Sequence, residues 1–208
     1  MDDLIVLCDK IEQQFKRRNK QRLFTVAISG IDASGKGYIT QLIQGGLEAR
    51  GYNVANINVD PWQNPIAIRL KKENAAENFY THVFRWKEFF RELIIPLQQE
   101  KGIELPAKLL FTDSDQYYTH TYRYEKLDFL LIDGILLFQE KYLGHYDYKI
   151  WVHCSFETGL KRALERNSEK LAEKQLISDY NNYYYPAQYL HFERDNPKDE
   201  ADLIFDND

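Results

Sequence analysis

Read for the spacing of its apolar positions, the chain alternates between stretches of helical and of strand periodicity. From about Asp3 to Asn19, Leu4, Leu7, Cys8, Ile11 and Phe15 recur every three or four residues among polar neighbours, which predicts an amphipathic helix. Leu23 to Ile28 is a continuous apolar, β-branched run that stops at Ser29-Gly30, the pattern of a strand buried on both faces. The helical period returns from Lys36 to about Ala49 and closes at Arg50-Gly51, and a second strand runs from Asn53 to Val59, ending at Asp60-Pro61. Ala75 to Gln99 predicts a long helix, bent or ended near Pro96. Lys108 to Thr112 and Tyr117 to Tyr124, on either side of Asp113-Ser114-Asp115, predict a β-hairpin. Phe129 to Ile132 and Tyr148 to His153 read as two more buried strands, residues 156–175 and 178–190 as helices, and Ala201 to Phe205 as a last strand.

Short apolar strands separated by helices imply an α/β fold of three layers, with a mainly parallel sheet covered on both faces and the hairpin as an insertion. In such sheets ligands bind beyond the carboxyl ends of the strands. Gly30, Asp60 and Asp133 stand at or just after such ends. No repeat, linker or low-complexity tract divides residues 1–208, so a single domain is expected.

Composition narrows the classes. The 208 residues are 44% hydrophobic and 14% aromatic, with 15 Tyr, so the chain can bury a core and is not a disordered polypeptide. A net charge of -5 without a long Lys/Arg tract argues against a protein that grips nucleic acid through its phosphates. Cys8 and Cys154 are far apart and form no Cys-x-x-Cys pair, which disfavours a disulfide scaffold or a thiolate zinc site and suits buried thiols in a reducing cytoplasm. The start, MDDLIVLCDK, carries acids where an export signal carries basic residues, and the most apolar run, Phe129 to Phe138, is interrupted by Asp133-Gly134 and is short of a bilayer span. A soluble cytoplasmic protein without a membrane or nucleic-acid partner is the expectation.

The candidate chemistry begins at Gly30-Ile31-Asp32-Ala33-Ser34-Gly35-Lys36-Gly37, which fits G-x-x-x-x-G-K between a predicted strand and a predicted helix that opens with Lys36, Gly37 and Tyr38. Glycines let the backbone curl so that successive N–H groups face phosphate oxygens, the helix adds its positive end, and Lys36 supplies a point charge for the β- and γ-phosphates. Gly37 stands where a Ser or Thr normally ligates Mg²⁺. Thr40 is a turn further on and reaches a metal only through water, which shifts the burden to carboxylates and water. Adenylate kinases are similar in placing Gly directly after the loop lysine. Asp133 ends the strand Phe129-Leu-Leu-Ile and reads as the Walker B acid, or as the cap of the next turn. Asp60 reads as a second metal-side acid and as a base for a substrate hydroxyl, or as an Asp-Pro turn former. Arg162 and Arg166, four apart, share one helix face, where they can close over a transferring phosphoryl group or form ordinary pairs with solvent and Glu165.

In order and spacing these features resemble the uridine kinase family of P-loop kinases over most of the chain. The similarity is carried by the loop from Gly30 to Gly37, the aspartate after the second strand, the strand end Asp133-Gly134-Ile135-Leu136, and the tail Tyr184-Tyr-Pro-Ala-Gln-Tyr189, Asn196-Pro197 and Ala201-Asp-Leu-Ile-Phe-Asp-Asn207. The resemblance implies an ATP- and Mg²⁺-dependent transfer of the γ-phosphate to a hydroxyl of a small-molecule acceptor, a nucleoside such as uridine or cytidine being one candidate. It makes Asp60 the base and gives Arg162 and Arg166 to a mobile lid of helices at about 156–190. It makes residues of about 76–124, helix plus hairpin, the acceptor side, where Tyr118 and His120 contact a base. Trp62, beside Asp60, is a further substrate candidate. His120 is equally read as a strand residue packed on Tyr118 or Tyr122. The family's basic, glycine-containing lid sequence is absent after Arg166, where Asn167-Ser-Glu-Lys-Leu follows. With Gly37, that departure supports the competing reading of an ATP-binding regulatory or assembly module without transfer chemistry. A GTPase switch is disfavoured because no Asn-Lys-x-Asp sequence is present. The oligomeric state is open, a homo-oligomer included.

Overall fold

The fold is taken from a computed structural model, which describes residues 2–18, 21–111, 114–167 and 170–208. In chain order its elements are α1 (Asp2–Arg17), β1 (Phe24–Gly30), α2 (Lys36–Glu48), β2 (Val54–Asn58), α3 (Ile66–Arg69), α4 (Ala75–His82), α5 (Trp86–Glu88) and α6 (Ile95–Glu100). The hairpin β3 (Ile103–Leu110) and β4 (Tyr117–Tyr124) follows, then β5 (Phe129–Gly134), α7 (Glu140–Leu143), β6 (Tyr148–His153), α8 (Phe156–Arg166), α9 (Glu173–Asp179), α10 (Tyr185–Asp195) and β7 (Leu203–Asp206). Five strands form one all-parallel sheet in the order β2-β5-β1-β6-β7, and β3 pairs antiparallel with β4 apart from it. The expected three-layer α/β architecture with an inserted hairpin is the one observed.

Both central strands are buried along their whole length, and strand alternation sorts their side chains between two cores. Phe24, Val26 and Ile28 of β1 join Phe129 and Leu131 of β5 under α1 and α2, with Leu7, Ile11, Ile39 and Ile43. Leu130 and Ile132 face the other way, into the core that holds Phe79, Phe89, Leu93 and Leu97. The backbone on which the polar residues stand is thereby fixed from both sides.

Three predicted helices differ from expectation; the one predicted over 178–190 is the end of α9, a π turn (Tyr180–Tyr184) and α10, which runs on to Asp195. The stretch 75–99 is broken at residues 83–85, because the chain there bonds to the segment after β2: Asn64 N–H donates to Val83 O and Arg85 N–H to Trp62 O, both at 2.8 Å. Pro96 does not end the second part; a π turn (Phe89–Ile94) precedes it, with Ile95 N–H reaching back five residues to Phe90 O. The helix predicted over 156–175 ends at Arg166, where Asn167 takes a left-handed conformation (φ 37°) and its side chain bonds both N–H and C=O of Leu171. Ser168 and Glu169 of that prediction lie outside the described residues, as do Asn19 of the first helix, Thr112 of the hairpin strand and Asp113 of its turn. The side chain of Leu4 also lies outside them. The first hairpin strand begins five residues before its predicted start, at Ile103.

Cys8 and Cys154 are both buried and free of disulfides. No helix among the described residues is long and apolar enough to cross a membrane.

Candidate active site

The loop after β1 curls as its sequence requires. Ala33 (φ 55°) and Gly35 (φ 89°) sit in the left-handed region, Ser34 N–H donates to Ile31 O (3.2 Å), and α2 starts directly at Lys36. A Cβ at Gly35 would be strained by that left-handed φ and would also displace Asn207 Nδ2. Asn207, just past β7, donates from that nitrogen to Ser34 O (2.7 Å). Lys36 is largely buried, and its Nζ lies 3.3 Å from Ile31 O, folded along the loop it follows.

Register brings the acids to the loop. Asp133 on β5 is flanked by Ile28 of β1 and Asn58 of β2. Asn58 then spans two acids: its Nδ2 donates to Asp133 Oδ1 (2.5 Å), and its Oδ1 accepts the backbone N–H of Asp60 (2.7 Å). Burial pushes the Asp133 carboxyl up to about 6, and the charge of Asp60 adds to that rise; Lys36 and the Asn58 hydrogen bond oppose it. Two carboxylates and a lysine therefore share the carboxyl edge of the sheet, an arrangement that gains from an added cation.

Among the described residues no group of three or more His, Cys, Asp or Glu side chains is set to hold a metal ion. The acids beside Lys36 that would receive Mg²⁺ carried with phosphate and water are Asp133 and Asp60. The hydroxyls near the loop do not replace the missing Ser or Thr: Thr40 Oγ1 donates to Lys36 O (2.8 Å), and Ser34 Oγ is buried without a hydrogen-bond partner. A Cβ at Gly37 would meet nothing within 4 Å, so its lack of a side chain is not imposed by packing.

Beside the loop lies a cavity of about 230 Å³ lined by Asp32, Asp60, Ile135 and Arg166 on the loop side. Gln63, Arg69, Phe79, Val83, Phe84 and Tyr184 form the rest of its wall. Asp32 ties the loop to the helices beyond α8, accepting the hydroxyl of the fully buried Tyr180 and lying 3.9 Å from Arg166 Nη2. The two arginines divide: Arg166 lines the cavity, while Arg162 Nη1 donates to Asn207 O (2.8 Å) and braces the segment behind the loop.

The remaining candidates lie elsewhere. Trp62 is buried, stacked on Tyr122 and donating Nε1 to its hydroxyl (3.1 Å), so it pins the hairpin and does not line the cavity. Tyr118 packs on Phe111, and His120 is exposed with its ring against Tyr122 (4.6 Å); neither lines the cavity. Tyr38 is exposed on the first turn of α2. Reading the sequence did not find Asn58, Gln63 or Arg69, whereas Tyr184 belongs to the tail that the sequence reading placed near the acceptor or nucleotide, and it lines the cavity. Asn58 had a signal, its place in register beside a strand-end acid; Gln63 and Arg69 are brought in by the break at 83–85.

No protein-family model matches the chain, and no curated protein does. Solved structures match over nearly its whole length. A possible uridine kinase from Bacillus stearothermophilus superposes with a TM-score of 0.77 at 20% identity, covering 99% of this chain and 98% of its own. A proposed fructose transport system kinase from Silicibacter sp. TM1040 gives 0.76 at 17%, covering 97% and 98%. D-glycerate 3-kinase from Cryptococcus neoformans var. grubii gives 0.66 at 10%, covering 89% and 87%. The likeness is one of architecture: the chain has the fold of the P-loop kinases.

Proposed function

We propose that the chain is an ATP-dependent phosphotransferase that moves the γ-phosphate of Mg·ATP to a hydroxyl of a small molecule. The observation that carries this reading is the pair Asp60 and Asp133, held by Asn58 beside Lys36, with Asp60 also lining the cavity where an acceptor fits. Asp60 takes the hydroxyl proton as the acceptor oxygen bonds to phosphorus and the bond to the leaving ADP oxygen breaks. The loop N–H groups, Lys36 and Arg166 face the negative charge on the phosphates, and Asp133 holds the metal side. Mg²⁺ held at Asp133 would supply neutralisation of the phosphate charge. Phe79, Val83 and Phe84 give one side of the cavity an apolar wall for the acceptor's carbon skeleton.

A nucleoside acceptor, as the family resemblance implies, draws support from the likeness to the Bacillus structure and none from Tyr118 or His120, which stand off the cavity. The test is ADP release with Mg·ATP across nucleosides, sugars, sugar phosphates, vitamins and hydroxy acids. Asp60→Asn is expected to cut acceptor-dependent turnover by about 10²–10⁴-fold with ATP affinity preserved in calorimetry. Full turnover in that variant removes Asp60 as base. Tight ATP binding with no acceptor in the panel favours the regulatory reading that Gly37 invites.

A further inference from the structure

Away from the cavity, α10 turns a polar face toward the sheet. Gln188 and His191, three residues apart, share that face and are buried, at 1% and 0% exposure. Trp151 of β6 packs against it, its ring centroid 6.3 Å from that of His191 and 5.6 Å from that of Phe192. Four polar atoms of these three side chains find no hydrogen-bond partner among the described residues: both amide atoms of Gln188, Nε2 of His191 and Nε1 of Trp151. Folded proteins pair nearly all their buried polar atoms, with protein or with ordered water, so such a group calls for a ligand.

The other side of the His191 ring decides what its Nε2 offers. Nδ1 lies 2.7 Å from Asp195 Oδ2, the same oxygen that accepts the Tyr80 hydroxyl at 2.6 Å, and Asp195 Oδ1 accepts the backbone N–H of Glu140 at 3.2 Å. Burial raises the Asp195 carboxyl, but the hydrogen bonds from His191 and Tyr80 outweigh it and hold the group below the usual carboxylate range. An ionised carboxylate only accepts, so the proton of a neutral His191 sits on Nδ1 and leaves Nε2 as an acceptor. The unpaired atoms are then donors at Trp151 Nε1 and Gln188 Nε2 and acceptors at His191 Nε2 and Gln188 Oε1. The donors disfavour a cation and the acceptors an anion. Water, which accepts two hydrogen bonds and donates two, complements the set.

We propose that the protein binds water internally at this place, with at least one ordered molecule accepting from Trp151 Nε1–H, donating to His191 Nε2 and joined to the Gln188 amide. The inference is independent of the phosphotransferase reading. The site links β6 to α10, and through His191, Asp195 and Tyr80 it continues into α4. It also underlies the cavity, because Gln188 stands one turn beyond Tyr184 and Tyr80 follows Phe79, two residues of the cavity wall.

The test is NMR on the full chain labelled with a nitrogen isotope. Trp151→Phe assigns the indole resonance, and Trp62, whose Nε1–H donates to Tyr122, serves as the dry reference. The Trp151 Nε1–H is expected to show a cross-peak to water with the sign of a long-lived complex, and His191 to show a protonated Nδ1 and a bare Nε2. Gln188→Met keeps the length of the side chain and removes both hydrogen-bonding atoms, and most of that cross-peak is expected to disappear. A Trp151 indole without a water cross-peak overturns the inference. So does a coupling between Trp151 Nε1 and His191 Nε2 that reveals a direct hydrogen bond, or a proton on Nε2 with Nδ1 bare. An unchanged cross-peak in folded Gln188→Met overturns it too, because the amide is part of the site. Where that variant fails to fold, the cross-peak and the tautomer of the unaltered chain decide.

Discussion

Asn58 makes one amide serve two acids and eases the ionisation of Asp133, but burial and the charge of Asp60 outweigh that help. The Asp133 carboxyl is 3% exposed and raised from 3.8 to about 6, so ionising it at neutral pH costs the metal-free fold roughly 3 kcal/mol. The sign follows from proton counting: between pH 4 and 6 the folded state holds more protons than the unfolded one, so stability falls as pH rises through that window. Asp133→Asn should accordingly raise the urea midpoint of the nucleotide-free protein at pH 8 and lose that advantage by pH 4, while abolishing Mg²⁺-dependent turnover. A midpoint difference that does not change with pH would falsify the assignment. Asp60 and Asp133 were legible in the sequence because each stands at the carboxyl end of an apolar run, and Lys36 because it closes the glycine pattern between β1 and α2. Arg69 and Gln63 were not, since their place depends on backbone bonds between residues 62–64 and 83–85 that carry no sequence pattern. Trp62 was misleading for the opposite reason: it adjoins Asp60 in sequence, yet its ring turns into the core toward Tyr122.

Helices in this protein carry proline without ending, by one device used twice. Pro96 and Pro186 each follow a π turn, Phe89–Ile94 and Tyr180–Tyr184, whose last bond reaches back five residues, from Ile95 N–H to Phe90 O and from Tyr185 N–H to Tyr180 O. The wider turn moves the carbonyl that a proline ring would otherwise strike. In the second case it also sets which way Tyr180 and Tyr184 point, one onto Asp32 and the other into the cavity. Deleting the exposed Asn181 restores an ordinary helical count and rotates the preceding segment by about 100°. The expected outcome is a far-UV CD spectrum unchanged and turnover largely lost; retained turnover refutes the positioning role of the turn. The hairpin offers a second check, because Tyr122→Phe strands the buried Trp62 Nε1 and should cost about 1–3 kcal/mol in urea denaturation. Central strands and the first two helices were legible because one period runs through each; the break at 83–85 and the stop at Arg166 were not, since they are set by bonds to Trp62 and Asn64 and by a single left-handed asparagine.

At the scale of the whole molecule, the sheet carries its chemistry on the carboxyl edge, and the strand that follows every other element braces it. β7 pairs with β6 from Ile150↔Leu203 to His153↔Asp206, which delivers Asn207 to Ser34 O and to Arg162. Asn207→Ala should lower stability by about 1–2 kcal/mol and weaken Mg·ATP binding together, measured by urea titration and calorimetry on one preparation. An unchanged ATP affinity would show the brace to be structural only. The brace joins residues 173 positions apart. Contacts of that separation close the largest chain loops and form slowly. The loop that ends at Lys36, though encoded near the start of the sequence, is therefore expected to acquire its working shape late in folding, and in refolding experiments the burial of Trp62 and Trp151 should precede the return of nucleotide binding.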